Sequence, residues 1–163
     1  MKKNTNQEVE KERIEKFYAF LSDVGIKEKQ INIIKGNEVP NTQIINEALT
    51  HTSANSPKNH EKLEFLGDAV LRLAASEYIE ENYPKLKVGE RSALRSQLVS
   101  DKWLANIGSK IGIRYLMIIG TKAEKDKAAL ETIEAEGLEA LIGAIYTCLK
   151  DIEVIKSLSL IHI

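Results

Sequence analysis

Glu61, Glu64 and Asp68 fall within HEKLEFLGDAVL, residues 60–71, spaced three and four apart. Those steps keep three carboxylates on one helical face. Like charges so placed repel by roughly 0.2–0.5 kcal/mol per pair, and the face reads as one without a matched base. Gly67 sits inside the same run, where glycine costs about 1 kcal/mol relative to alanine. Accepting that cost implies that another backbone comes close. EAEGLEALIGAIY, residues 134–146, repeats the theme, with Glu136 and Glu139 three apart, Gly137 and Gly143 nearby, and Leu138, Leu141, Ile142 and Ile145 as an apolar face. Two such helices crossing tightly would gather Glu64, Asp68, Glu136 and Glu139. Four uncompensated carboxylates are unfavourable together unless a cation neutralises them. Hard oxygen donors suit Mg²⁺, with Mn²⁺ as a substitute. A divalent site beside a basic surface is what phosphodiester hydrolysis requires.

The basic surface is legible too. Residues 85–127 hold ten Lys and Arg against four acids, whereas residues 128–139 hold four acids and no base. Solvated helix faces would account for this as well. The sharper reading is a phosphate-contacting surface next to an acidic metal site. A carboxylate-bridged di-iron bundle needs Glu-x-x-His twice, which the chain lacks. No arrangement supports a histidine-based triad, and His51 reads as a local structural residue near a helix end.

The elements that must position these groups are helical. The chain has 163 residues, is 43% hydrophobic and 29% charged, and is poor in aromatics and proline. That composition favours one all-α domain with an ordinary core. Residues 8–22 are amphipathic at helical spacing through Val9, Ile14, Phe17 and Leu21. Residues 37–42 read as a turn before a short helix over 43–51, and residues 52–59 as a loop. The first acidic helix is expected over residues 60–82, ended by Tyr83-Pro84. Further helices are expected over 90–99 and, capped by Ser100-Asp101 and broken by Gly112, over 102–111. Residues 114–129 are ambiguous, and the second acidic helix is expected over 130–149. No repeat, low-complexity tract or strand-period pattern stands out. The single cysteine, Cys148, excludes a disulfide framework and a cysteine-based zinc site, and reads as a buried helix residue. The N-terminal residues lack the apolar region of a secretory signal, and no run approaches a membrane span. A reduced, cytoplasmic setting is expected. The last six residues, LSLIHI at 158–163, resemble the translated end of a sequencing adapter. The native domain is therefore expected over residues 8–157, as the front part of a longer protein.

Four segments resemble the ribonuclease III family. HEKLEFLGDAVL is similar to its signature, EALTHTS at 47–53 to the segment just upstream, GERSALRSQLVS at 89–100 to a third, and LEALIGAIY at 138–146 to the last, in family order. The resemblance implies an all-helical, homodimeric endonuclease domain. It also implies cleavage of double-stranded RNA with Mg²⁺, leaving 5′-phosphates and 3′-hydroxyls, in ribosomal-RNA precursor and other RNA processing. No membrane or small-molecule cofactor is implied. By residue, it implies Glu64, Asp68, Glu136 and Glu139 as metal ligands, with Asp68 and Glu139 catalytic. Glu61 and Glu90 become supporting acids, and Phe65 and Leu66 dimer-interface residues. Lys85, Lys87, Arg91 and Arg95 are the candidate RNA contacts. Glu136 departs from the pattern, since bacterial members usually have Asp there. Many bacterial members also carry a following double-stranded-RNA-binding domain. The alternative is a non-cleaving, structured-RNA-binding module of the same fold.

Overall fold

The computed structural model describes residues 2–36 and 39–160. Among them nine α-helices run in order: α1 (Lys2–Asp23), α2 (Glu28–Lys35), α3 (Val39–Ala48), α4 (Glu61–Asn82), α5 (Val88–Leu98), α6 (Asp101–Ile111), α7 (Thr121–Glu124), α8 (Lys127–Leu149) and α9 (Ile152–Leu160). Short 3₁₀ turns cover Thr52–Ala54 and Ile113–Tyr115. The described residues contain no strand, only one isolated parallel bridge between Thr50 and Ile118. The fold is all-α, as expected.

α4 and α8 form the central pair, with α6 laid against α8 and α9 against α4. Leu63, Val70, Leu71, Ala74 and Ile79 of α4 are buried together with Ile133, Leu138, Leu141, Ile142 and Ile145 of α8. Each large aliphatic side chain so buried contributes about 1.5–3 kcal/mol. The crossing is set by glycine. A Cβ on Gly67 would collide with the backbone carbonyl of Glu139, and one on Gly143 with that of Leu63. The two backbones therefore touch, which explains why Gly67 interrupts an otherwise favourable helix.

The remaining elements close the core around this pair. Ile14, Phe17 and Leu21 of α1 are buried on one stripe; the side chain of Val9 lies outside the described residues. Ser100 caps α6, its Oγ accepting from the Trp103 N–H at 3.3 Å, and Gly112 ends that helix at φ +71°. Three features differ from the sequence expectation. α2 has only eight residues, too few for a clear periodic signal. α3 begins at Val39, within the expected turn, because proline is tolerated in a first helical turn; residues 37 and 38 of that turn lie outside the described residues. α9 extends past residue 157. Leu158 and Ser159 are buried in it, so the first part of the terminal hexapeptide packs with the core, while residues 161–163 lie outside the described residues. The Lys156 ammonium fastens α9 down, donating to Glu81 at 2.7 Å and pairing with Glu153 at 2.6 Å and Glu77 at 3.8 Å. Cys148 is half-buried on α8 rather than fully buried, and burial pushes its thiol up.

Candidate metal centre

Crossing at Gly67 and Gly143 brings one turn of α4 against one turn of α8. Glu64 and Asp68 project from the first helix, Glu136 and Glu139 from the second, all four partly buried. Their mutual influence is electrostatic. Burial pushes the Glu139 carboxyl up to about 7, reinforced by the charges of Asp68, Glu64, Asp101 and Glu136. Burial likewise raises Glu64, with Glu136 and Glu61 adding to the effect and His60 opposing it. Such destabilised carboxylates on facing helices are the condition a divalent cation relieves.

Asp68 is better compensated than the sequence reading held. Arg72 does sit four residues after Asp68, and its Nε donates to both carboxylate oxygens at 3.0 and 2.9 Å. The expectation of an unmatched acidic face is corrected at this position. The Arg72 side chain is exposed and that of Asp68 is more than a third exposed, so the pair contributes little to stability. Its consequence is local, in that it fixes where the Asp68 oxygens point.

Glu136 has a different environment. His51 Nε2 lies 3.2 Å and His60 Nε2 3.4 Å from the same oxygen, Oε2. His60 Nε2 is also 3.2 Å from Glu64 Oε2. The two imidazoles stack, ring centroids 4.7 Å apart, and His60 is 1% exposed. The nearby imidazoles hold the Glu136 carboxyl below the usual range, His60 foremost, against the opposing effect of burial. Burial dominates at His51 and lowers its tendency to protonate.

The backbone around the 3₁₀ turn Thr52–Ala54 carries these rings into place. The His51 N–H donates to the Ile118 carbonyl at 2.9 Å and the His60 N–H to the Thr50 carbonyl at 2.9 Å. His51 Nδ1 in turn accepts the Ser53 N–H at 3.1 Å. Reading His51 as a residue of merely local importance missed its reach across to α8. The sequence does show that His51 and His60 flank a loop that returns directly to the acidic helix, but not that they reach Glu136. Asp101, at the first position of α6, was also missed as a contributor to the field on Glu64 and Glu139; it was read only as a cap.

The other candidate residues are spread more widely. Glu61 is exposed one turn before Glu64 and contributes charge to both Glu64 and His51. Glu90 is spent on its own helix, its Oε2 accepting the Lys87 N–H at 2.8 Å at the start of α5. Arg91 holds the carbonyls of Leu86 and Pro84 at 2.8 Å each and pairs with Glu80. Arg95 donates to Ser76 Oγ at 3.1 Å and is otherwise exposed, as are Lys85 and Lys87. Phe65 is 83% exposed, whereas Leu66 is partly buried against the core. A separate cleft of about 990 Å³, lined by Leu94, Trp103 and Leu130 with Lys102, Arg114 and Lys127, contains none of the four acids.

Comparison with known proteins gives a consistent result. A family model described as Ribonuclease-III-like matches residues 41–154. Ribonuclease 3 of Prochlorococcus marinus is 58% identical over 156 residues, covering 96% of this chain and 63% of that protein. A Nostoc protein named Ribonuclease 3 2 is 39% identical over 70% of this chain and 47% of its own length. The chain thus spans between about half and two-thirds of these curated relatives. Among solved structures, the nuclease domain of ribonuclease III from Campylobacter jejuni aligns with a TM-score of 0.67 at 33% identity, covering 82% of this chain and 92% of that one. That structure is described as flexible in a region involved in dimer formation.

Proposed function

The chain belongs to the ribonuclease III family, and on that premise we propose that it is a Mg²⁺-dependent endoribonuclease acting on double-stranded RNA. The observation that supports this reading is the glycine-set crossing of α4, which carries Glu64 and Asp68, with α8, which carries Glu136 and Glu139, together with the rise of the Glu139 carboxyl to about 7 through burial and the charges of neighbouring acids. An all-oxygen donor set fits Mg²⁺, and Mn²⁺ in its place. When bound, the cation supplies an acidified water and positive charge against the phosphoryl oxygens.

The chain's own residues provide the remainder. Glu139 and Asp68 hold the reacting centre from opposite helices. Arg72 keeps the Asp68 oxygens oriented. Lys85, Lys87 and Arg95 offer exposed positive charge for the phosphates of an A-form duplex, which is recognised by shape and backbone. Arg91 is committed to backbone carbonyls and serves the surface indirectly. Products would carry 5′-phosphates and 3′-hydroxyls, and precursor ribosomal RNA is the substrate class proposed. The exposed Phe65 beside Leu66 is an apolar surface that a second copy would cover, so the working unit is proposed as a homodimer with two sites across the duplex.

The test is cleavage of a defined RNA duplex by the purified protein with and without Mg²⁺. Cleavage that needs the cation and is abolished in Asp68→Asn and Glu139→Gln supports the reading. Duplex binding without cleavage at any Mg²⁺ or Mn²⁺ concentration would replace it with the RNA-binding module.

A further inference from the structure

We propose that His51 and His60 are positioning residues whose two Nε2–H groups clamp one oxygen of Glu136 and leave its second oxygen available to the cation. The inference rests on the metal reading above. Its starting point is that the Glu136 side chain turns about three bonds between its Cα and its carboxylate. An unrestrained glutamate is a poor ligand for a cation that demands near-ideal octahedral geometry.

The tautomers follow from the surroundings. His51 Nδ1 faces the Ser53 backbone N–H at 3.1 Å and the Ser53 hydroxyl, which can turn to donate or accept, at 2.7 Å. A backbone donor cannot be turned away, so Nδ1 is the acceptor and the ring proton sits on Nε2. That proton points at Glu136 Oε2, 3.2 Å away. His60 Nδ1 is buried with no hydrogen-bond partner among the described residues. A buried N–H without an acceptor is costly, so the His60 proton also belongs on Nε2, between Glu136 Oε2 at 3.4 Å and Glu64 Oε2 at 3.2 Å.

Both rings are therefore donors, not ligands. With protons on Nε2 they offer the carboxylate two hydrogen bonds and offer a metal no lone pair on that side. The clamp is stiff because each ring is anchored elsewhere. Ser53 holds His51, and Ser53 Oγ is itself tied to the Gly120 N–H at 2.9 Å. His60 begins α4 with its N–H on Thr50, and the stacked rings brace one another. Outer partners of this kind orient ligating carboxylates, and removing one typically weakens metal affinity 10–100-fold.

Two measurements decide the matter. In the metal-free, ¹⁵N-labelled protein, long-range ¹H–¹⁵N spectra should show both rings protonated at Nε2 and bare at Nδ1; an Nδ1–H tautomer in either ring would overturn the clamp. Mn²⁺ titration followed by electron paramagnetic resonance should then show affinity reduced roughly 10–100-fold in His51→Ala and His60→Ala. His51→Gln and His60→Gln, which retain an N–H donor of similar reach, should recover most of the loss. Adding His51→Ala to Glu136→Gln should cost nothing further, because the residues act as a unit. Unchanged affinity in the alanine variants, additive losses, or ¹⁴N couplings from an imidazole bound to Mn²⁺ would each overturn the proposal. Thermal melts of each variant separate loss of fold from loss of the clamp. Absence of Mn²⁺ binding by the unaltered chain would instead overturn the metal reading, and the tautomer spectra would still judge the clamp.

Discussion

Glu136 and Glu139 are one turn apart on the same helix, yet their surroundings push them in opposite directions. Glu136 faces two imidazole donors and is held ionised. Glu139 is pushed up to about 7 by burial first, and then by the charges of Asp68, Glu64 and Asp101. One end of the site is finished by protein hydrogen bonds, while the other, on the proposed reading, would be completed by a cation. The difference separates two ways of placing charge in a partly buried site. A carboxylate given local donors stays charged and fixed. One that is buried among other acids is destabilised as an anion, and a metal ion bound there would relieve that cost.

The largest effect should come from the Glu139 end. Glu139→Gln should lower the cleavage rate of an RNA duplex by at least ~10²-fold at saturating Mg²⁺, the scale of losing a group that stabilises developing charge. Glu136→Gln should instead shift the Mg²⁺ requirement upward, with much of the rate recovered at high concentration. Equal, unrecoverable losses in single-turnover assays would erase the contrast between the two ends.

Next in size is the helix crossing that both ends share. Gly67→Ala places a methyl group against the Glu139 carbonyl, so it should destabilise the fold by about 3 kcal/mol or more. Gly89 has open space where its Cβ would be, and Gly89→Ala in α5 should be neutral or stabilise by up to about 1 kcal/mol. Chemical denaturation of the pair measures both.

A smaller, pH-dependent effect sharpens the comparison. Glu139 keeps its proton to about 7 in the folded chain against an ordinary value of 4.5. Between those values the folded state binds more protons than the unfolded state, so metal-free stability should fall as pH rises from about 4.5 to 7 and then level off. Glu139→Gln should flatten that slope. Apparent Mg²⁺ affinity should rise by up to about tenfold per pH unit below 7, because one proton must leave as the ion binds. Melting curves and calorimetric titrations across this range test both statements.

The smallest effect lies outside the comparison and tests its boundary. Arg95→Ala should weaken duplex binding a few-fold and lower the salt-dependence slope by about 1. Mn²⁺ affinity should not change. A change would mean that the basic surface and the acidic site are coupled.

The helices and the acidic face of α4 were legible because both leave periodic marks. Gly67 within a strong helix former announced the crossing, and the three- and four-residue steps of Glu61, Glu64 and Asp68 announced one face. α2 and α9 were not foreseen, since eight and nine residues give little periodic signal. The histidine partnership was hidden for a different reason. His51 and Glu136 are 85 positions apart, and a local reading has no means of joining them. Asp101 and Glu90 show the converse, because a cap residue and a site residue look alike in sequence. Only the fold shows that one adds to the field on Glu139 while the other caps α5.

The long reach between His51 and Glu136 also bears on how the chain acquires its structure. Drawing together points so distant costs more loop-closure entropy than forming any single helix. The two rings can meet their carboxylate only after α4 and α8 have crossed and the loop over 50–60 has settled on Ile118. The Nε2–H signals of His51 and His60 should therefore be among the last to take their native positions during refolding. They make a built-in reporter that distinguishes a helical but unassembled chain from one whose site is complete.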